Sequence, residues 1–257
     1  MRLPAPSSRR ETRSHGILRR VTTDRVRPLI VALDGPGSSG KSTVGAEAAR
    51  RLGYRFCDTG LLYRAVAWLA MERGVAAGDA EGVVALVGEV RLVGDERGRL
   101  CRVDVGSRDV TAEVEKARVD RAVSDYARMP ELRAALVPRQ RAIAADGGII
   151  MAGRDIGTVI LPDADVKLYL QASAEERARR RAVQRHLHPG GPEAMRILDE
   201  LRARDAIDSG RATAPLRAAA AAVVIDTDGK TYHETVATVE GLIRDRAGRP
   251  EGEQRGG

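Results

Sequence analysis

A glycine-rich segment constrains this chain more than any other feature. It reads Gly35-Pro36-Gly37-Ser38-Ser39-Gly40-Lys41-Ser42 and fits the pattern G-x-x-x-x-G-K-[S/T] at every fixed position. The segment lies between a short apolar run, residues 29–33, and a predicted helix over residues 41–52. Glycines let backbone N–H groups approach phosphate oxygens, and the start of a helix favours negative charge. The segment therefore predicts a nucleotide-phosphate site, in which Lys41 reaches the β- and γ-phosphates and Ser42 can meet Mg²⁺.

The remaining apolar runs predict an α/β fold. Short strands are expected at residues 54–56, 148–152, 166–170 and 223–226, with amphipathic helices between them. Such alternation predicts a parallel central sheet covered by helices on both faces, a three-layer sandwich. Residues 90–93 and 100–105 alternate in polarity around a turn, which predicts a small antiparallel insert within about 90–114. A helical stretch over 116–145 is expected to break at Pro130.

The positive charge of the chain is concentrated at its ends. The net charge is +7, but residues 1–27 hold eight arginines against two acids, and residues 28–243 are neutral. A dedicated nucleic-acid binder would carry the excess on its folded body, so no nucleic-acid partner is expected. There is no apolar run long enough to cross a membrane, and the two cysteines suit a reducing cytoplasm. Residues 1–27 are interpreted as a disordered leader and residues 247–257 as a disordered tail.

A phosphate-binding loop alone does not identify the reaction. A GTPase would also carry N-K-x-D, which is missing from the sequence, and Asp226-Thr227-Asp228-Gly229 is interpreted as a solvated turn. An ATPase would carry an acid after an apolar strand, and Asp155 after residues 149–152 could take that part. Arginines near strand ends favour a kinase instead, because ligands of such sheets bind at the carboxyl ends of the strands.

The order of four motifs is similar to that of the bacterial cytidylate kinases, which are nucleoside monophosphate kinases of the P-loop NTPase fold. The motifs are Asp34-Gly35-Pro36-Gly37-Ser38-Ser39-Gly40-Lys41-Ser42-Thr43, Asp58-Thr59-Gly60-Leu61-Leu62-Tyr63-Arg64, Gly153-Arg154-Asp155-Ile156-Gly157-Thr158 and Arg204-Asp205-Ala206-Ile207-Asp208-Ser209-Gly210-Arg211. The resemblance runs from about residue 29 to residue 243. It implies a kinase domain over 28–246, with a nucleoside-monophosphate-binding insert at about 90–114 and a helical lid at about 177–206.

The resemblance also implies roles for single residues. ATP phosphates would be held by Gly35, Pro36, Gly37, Ser38, Ser39, Gly40, Lys41, Ser42 and Thr43. The acceptor's phosphate would be bound by Thr59, Arg64 and Arg154. Cytosine would be surrounded by Ser124, Arg133, Asp155 and Arg211. The ribose would lie near Arg204 and Asp208. Lys41, Arg154, Arg180 and Arg181 would act in catalysis, the last two arriving with the lid.

These roles predict transfer of the γ-phosphate of ATP to CMP and to dCMP, with Mg²⁺, by a cytoplasmic monomer. Asp155 could accept a hydrogen bond from the exocyclic amine of cytosine, whereas O4 of uracil would face a second acceptor. Two alternatives stay open at this point. One is a P-loop kinase of another small acceptor, such as UMP or a sugar acid, and the other is an ATPase associated with nucleic acid.

Overall fold

The structure, a computed structural model, describes residues 28–248. The predicted leader, residues 1–27, and residues 249–257 of the predicted tail lie outside the described residues. The strands are β1 (Ile30–Asp34), β2 (Arg55–Asp58), β3 (Val90–Gly94), β4 (Arg99–Val105), β5 (Arg108–Asp109), β6 (Ile149–Gly153), β7 (Val166–Gln171) and β8 (Val223–Asp226). The helices are α1 (Lys41–Leu52), α2 (Gly60–Glu72), α3 (Ala80–Ala85), α4 (Thr111–Val114), α5 (Ala117–Ala127), α6 (Pro130–Ala144), α7 (Ala174–Gln184), α8 (Pro192–Ser209) and α9 (Tyr232–Ala247), with a 3₁₀ turn at Leu86–Glu89 and a π-helical turn at Ile156–Ile160.

The central sheet has the strand order β3-β4-β2-β6-β1-β7-β8, with β5 paired to β4. Strands β2, β6, β1, β7 and β8 are parallel, as predicted. The predicted antiparallel insert exists, but it is not a separate sheet. Strand β4 pairs in parallel with β2, at Phe56 and Cys57, so the insert continues the central sheet.

Two apolar layers sandwich this sheet, and the alternation of β1 explains them. Val31 and Leu33 pack with residues of α1 and α9 on one face, while Ala32 packs with α6 and the π-helical turn on the other. The three-layer α/β prediction is thereby confirmed. A further core joins α2 through α6 to β3 and β4.

Helices α7 and α8 form a hairpin with a small apolar cluster of its own, built around Ala182 and Ile197. Ser173 caps α7 by accepting from the backbone N–H of Glu176. The backbone N–H of Ser173 donates to Asp228, and the Glu176 carboxylate pairs with Arg179 and Arg180, so the reciprocal half of a capping box is not made. Among the described residues, no helix combines the length and apolarity needed to cross a membrane.

The register of the sheet positions the site. Asp34 at the end of β1 lies beside Gly153 at the end of β6, and Asp58 at the end of β2 lies beside Ala152. The loops that follow these three strands therefore leave the sheet side by side. One of them is the glycine-rich loop, residues 35–42.

Candidate active site

The glycine-rich loop folds as an anion cradle. At Gly35 the backbone has φ +149°, and a Cβ there would lie 2.2 Å from the carbonyl oxygen of Leu170, so only glycine fits. Helix α1 begins after Gly40 and no side chain caps it. Its first backbone N–H groups are thus available to an anion.

Lys41 crosses this loop and is almost fully buried. Its Nζ donates to the carbonyl of Pro36 at 2.6 Å and lies 3.4 Å from Oγ of Ser39. Burial, followed by repulsion from Arg154, lowers the pKa of Lys41 well below its ordinary value. A phosphate bound in the loop would counter both effects and favour the ammonium form.

Two oxygen donors meet at the far side of the loop. The hydroxyl of Ser42 hydrogen-bonds to the carboxylate of Asp58. Oxygen ligands of this kind suit Mg²⁺, which usually keeps several waters and is completed by substrate phosphates. The described residues contain no group of three or more His, Cys, Asp or Glu side chains able to hold a metal ion. Asp58 begins the second motif, in which the resemblance implies roles only for Thr59 and Arg64.

A second cleft opens beside the loop, with a volume of about 530 Å³ that includes its open mouth. All nine residues predicted to bind the acceptor line it: Thr59, Arg64, Ser124, Arg133, Arg154, Asp155, Arg204, Asp208 and Arg211. They come from α2, α5, α6, α8 and the loops after β2, β6 and α8. Tyr63, Val123 and Ala127 also line the cleft and were not predicted.

Two buried carboxylates organise the arginines of this cleft. Asp155 accepts from Nη2 of Arg133 at 2.5 Å, and the guanidinium of Arg133 lies 5.3 Å from the ring centre of Tyr63. Asp208 accepts from Nε of Arg154 at 2.9 Å and also from Arg211. Burial acts to raise the pKa of Asp208, but the neighbouring arginines outweigh it and hold that pKa below the ordinary value.

Thr59 is buried in the wall of the cleft, and its hydroxyl proton is already used in a hydrogen bond. Its hydroxyl donates to the carbonyl of Ala152 at 2.9 Å, and its backbone N–H reaches the same oxygen at 3.0 Å. The hydroxyl would have to turn from this carbonyl to donate to a phosphate.

The cleft lined by residues 37–42 of the glycine-rich loop is called the donor cleft, and the cleft that holds the nine predicted residues is called the acceptor cleft. The two clefts share a wall. Asp58, Gly60, Arg64, Arg154 and Arg204 line both. The guanidinium of Arg154 lies against Gly37 of the glycine-rich loop: a Cβ added at Gly37 would be 3.4 Å from Nη2 of Arg154. The same guanidinium pairs with Asp208. Two ligands, one in each cleft, would both contact these arginines.

The arginines of α7 have three different roles. Arg181 donates to Oγ of Ser38 at 3.2 Å and therefore faces the glycine-rich loop. Arg180 donates to the hydroxyl and carbonyl of Thr227 and to Glu176, so its guanidinium is held at the edge of the donor cleft. Arg177 ties α7 to the carbonyl of Gly37 at 3.1 Å and to Asp205.

Besides Asp58, sequence reasoning missed two further acids at the site. Asp34 accepts from the backbone N–H groups of Ile156 and Gly157 at 2.8 and 2.7 Å, which fixes the loop that carries Arg154. Burial raises the pKa of Asp34 to about 6, although those two hydrogen bonds oppose the shift. The other acid is Asp120 of α5, which contacts four arginines. No motif surrounds Asp120, whereas Asp34 directly precedes the glycine-rich loop.

Comparison with known proteins agrees with this geometry. A model of the family described as Cytidylate kinase matches residues 31–245. Cytidylate kinase of Geobacillus thermodenitrificans is 43% identical over 225 residues, covering 86% of this chain and 99% of that protein. Cytidylate kinase of Nocardia farcinica is 44% identical over 218 residues, covering 84% and 94%.

Among solved structures, the shikimate kinase of Acinetobacter baumannii in complex with shikimate is 15% identical, with coverage of 87% and 97%. Its TM-score of 0.40 is too low to bear on function. The sequence relatives carry the conclusion, because the family match and both alignments span most of the chain: this chain belongs to the cytidylate kinase family.

Proposed function

We propose that this chain transfers the γ-phosphate of ATP to CMP, giving ADP and CDP, and that it accepts dCMP in the same way. One observation carries the proposal beyond family membership. The cleft lined by all nine predicted acceptor residues shares Arg64, Arg154 and Arg204 with the cleft of the glycine-rich loop. Phosphoryl transfer needs alignment and charge neutralisation more than covalent help, and this shared wall supplies both.

ATP is the donor and lies along residues 35–43. The uncapped start of α1 and the loop backbone bind its phosphates, while Lys41 leaves the carbonyl of Pro36 for the β- and γ-phosphates. Ser42 and Asp58 would hold Mg²⁺, which on binding neutralises phosphate charge and fixes the phosphate oxygens.

The acceptor's phosphate lies at the shared wall. Arg64 and Arg154 bind it, and Thr59 adds its hydroxyl after turning from Ala152. Arg204 and Asp208 face the ribose. Each oxygen of Asp208 accepts from an arginine in the structure, and its remaining lone pairs can accept from a ribose hydroxyl.

Cytosine occupies the inner end of the cleft, near Ser124, Arg133, Asp155 and Arg211. Asp155 accepts from the exocyclic amine with the oxygen that Arg133 does not use, and Arg133 and Arg211 donate to the ring acceptors. Two guanidinium nitrogens of Arg211, Nε and Nη1, are buried without a hydrogen-bond partner among the described residues, which supports a ligand there. Uracil would set its O4 against the Asp155 carboxylate and leave both acceptors unpaired.

Closure of the α7–α8 hairpin excludes water from the transfer. Arg181 moves with α7 and reaches the loop through Ser38. Arg180 would have to release Thr227 to join it. We also propose that the enzyme acts as a monomer on free cytoplasmic nucleotides.

A coupled assay of ADP release against CMP, dCMP, UMP, AMP and GMP tests the proposal. We expect turnover with CMP and dCMP to exceed that with UMP by about tenfold or more, as one mismatched buried acceptor predicts. Equal rates with all five nucleotides, or a preference for a purine, would reject the acceptor assignment.

A further inference from the structure

Asp120 is the most heavily ion-paired acid among the described residues. Its Oδ1 lies 2.6 Å from Nη2 of Arg64 and 3.2 Å from Nη1 of Arg204. Its Oδ2 contacts Arg181 and lies 3.4 Å from Arg185. Only 11% of the Asp120 side chain is exposed. One carboxylate from α5 thus gathers guanidinium groups from α2, α7 and α8.

The position of this carboxylate matters more than the number of its partners. Arg181 binds Ser38 of the glycine-rich loop through Nη1 and Asp120 through Nη2. Arg64 and Arg204 belong to the wall shared by the two clefts. Asp120 therefore lies between the donor loop and the acceptor cleft, where the shared arginines converge.

The charge of the cluster exceeds what Asp120 neutralises. Burial lowers the pKa values of Arg181 and Arg204 to about 10, and neighbouring arginines add to both shifts. Nε of Arg204 is buried and has no hydrogen-bond partner among residues 28–248. Four guanidinium groups around one carboxylate would bind a more highly charged anion better, since arginine pairs with phosphate through several N–H groups.

We propose that Asp120 fills a phosphate subsite of the ligand-free protein and is displaced when a phosphoryl group enters between the two clefts. Its carboxylate holds Arg64, Arg181 and Arg204 in place and ties the α7–α8 hairpin to α5. Identifying the incoming anion as the phosphoryl group in transfer rests on the proposed function. The subsite itself rests only on the cluster.

This arrangement weakens the affinity of the subsite for phosphate. When a side chain of the protein fills a binding site, only the fraction of molecules in which the site is empty can bind the ligand. The apparent affinity falls in proportion to that fraction. The substitution Asp120→Asn keeps the size of the side chain but removes the negative charge that competes with phosphate for the arginines. Glu115 offers a matched control, because it is exposed, lines the same donor cleft and makes no ion pair within the described range.

The test is a calorimetric titration of the full chain with inorganic phosphate, without nucleotide. We expect Asp120→Asn to bind phosphate about tenfold more tightly than the wild type, and Glu115→Gln to change the affinity by about twofold or less. An unchanged or weaker affinity in Asp120→Asn, or an equal gain in both variants, would overturn the proposal. Asp120→Glu, which retains the charge, should bind phosphate like the wild type.

Hydrogen exchange of the ligand-free proteins gives a second readout that does not depend on phosphate binding. Amides of α7 and α8 should exchange faster in Asp120→Asn than in the wild type, while the central sheet exchanges alike in both. Equal exchange in the hairpin contradicts the tie to α5. These measurements need no turnover, so a failure of the subsite and a failure of the CMP assignment give different results.

Discussion

The donor loop and the acceptor cleft are built in opposite ways. The loop is one contiguous segment whose groups are mostly backbone, and it is fixed by glycine conformation and by its position between β1 and α1. The acceptor cleft consists of side chains from distant segments, and its arginines are held by buried acids such as Asp155 and Asp208. The loop is therefore preformed by the chain, whereas the cleft is preformed by ion pairs that a ligand must share or exchange.

This difference predicts that substitutions in the loop and in the cleft have different effects on function and stability. The loop should lose function through one cation without losing its shape. The cleft should lose stability as well as function when a carboxylate is removed, because uncompensated buried charge is costly. Four substitutions test that contrast, in order of decreasing effect.

Lys41→Ala should lower kcat/KM for CMP phosphorylation by about 10³-fold, as expected for the loss of a preorganised charge at the transferred phosphate. The free energy of unfolding should change little, since the loop backbone needs no lysine. Steady-state kinetics and chemical denaturation measure the two effects. Lys230→Ala, which alters an exposed lysine in the turn after β8, is the control and should keep full activity. Near-normal turnover of Lys41→Ala would refute the proposed donor site.

Asp208→Asn should lower the free energy of unfolding by about 3 kcal/mol, because Arg154 and Arg211 lose their shared buried partner. Urea denaturation measures this loss. Asp199→Asn, an exposed acid of the same helix, should have almost no effect. If both variants are equally stable, the acceptor cleft is not organised by its acids, and the contrast between the two regions fails.

The stability of the β1 end should depend on pH through Asp34. Because its pKa is raised from 3.8 to about 6, the native state holds the proton more tightly than the unfolded state. This contribution is complete below about pH 4 and is lost as the pH rises through 6, amounting to about 3 kcal/mol. Asp208, whose pKa is lowered, acts in the opposite direction. The difference in unfolding free energy between wild type and Asp34→Asn, followed from pH 4 to 7, isolates Asp34, and a constant difference would contradict the assignment.

Asp155→Ala should reduce the preference for CMP over UMP by about tenfold, because the acceptor for the exocyclic amine is gone. The measured quantity is the ratio of kcat/KM for the two nucleotides. The loss of Arg133's partner affects both substrates alike and cancels in that ratio. If Asp155→Ala keeps the preference for CMP over UMP, Asp155 does not recognise the base and another residue of the cleft does.

The same contrast explains what the sequence could predict. The glycine-rich loop, the parallel sheet and the helix at 41–52 follow from local patterns, and the structure confirms them. The nine acceptor residues were assigned by resemblance, and they share one cleft. The pairing of β4 with β2 was not predictable, because alternation along a strand does not reveal its neighbour.

Other parts of the site depend on distances that no local pattern contains. Asp120 lies 56 residues from Arg64 and 84 from Arg204 along the chain, yet its carboxylate joins them. The tie between Arg180 and Thr227 likewise spans 47 residues. Such long-range pairs are set by packing of the helices, so sequence spacing alone could neither find Asp120 nor foresee that Arg180 would be held away from the loop.

The central claim is that the two clefts join donor and acceptor phosphates in one transfer. ³¹P NMR of the purified chain with ATP, Mg²⁺ and CMP tests it most directly. We expect the γ-phosphate signal of ATP to be replaced by the β-phosphate signal of CDP, with one ADP formed for each CDP. Conversion of the γ-phosphate to inorganic phosphate, at the same rate with and without CMP, would contradict the account.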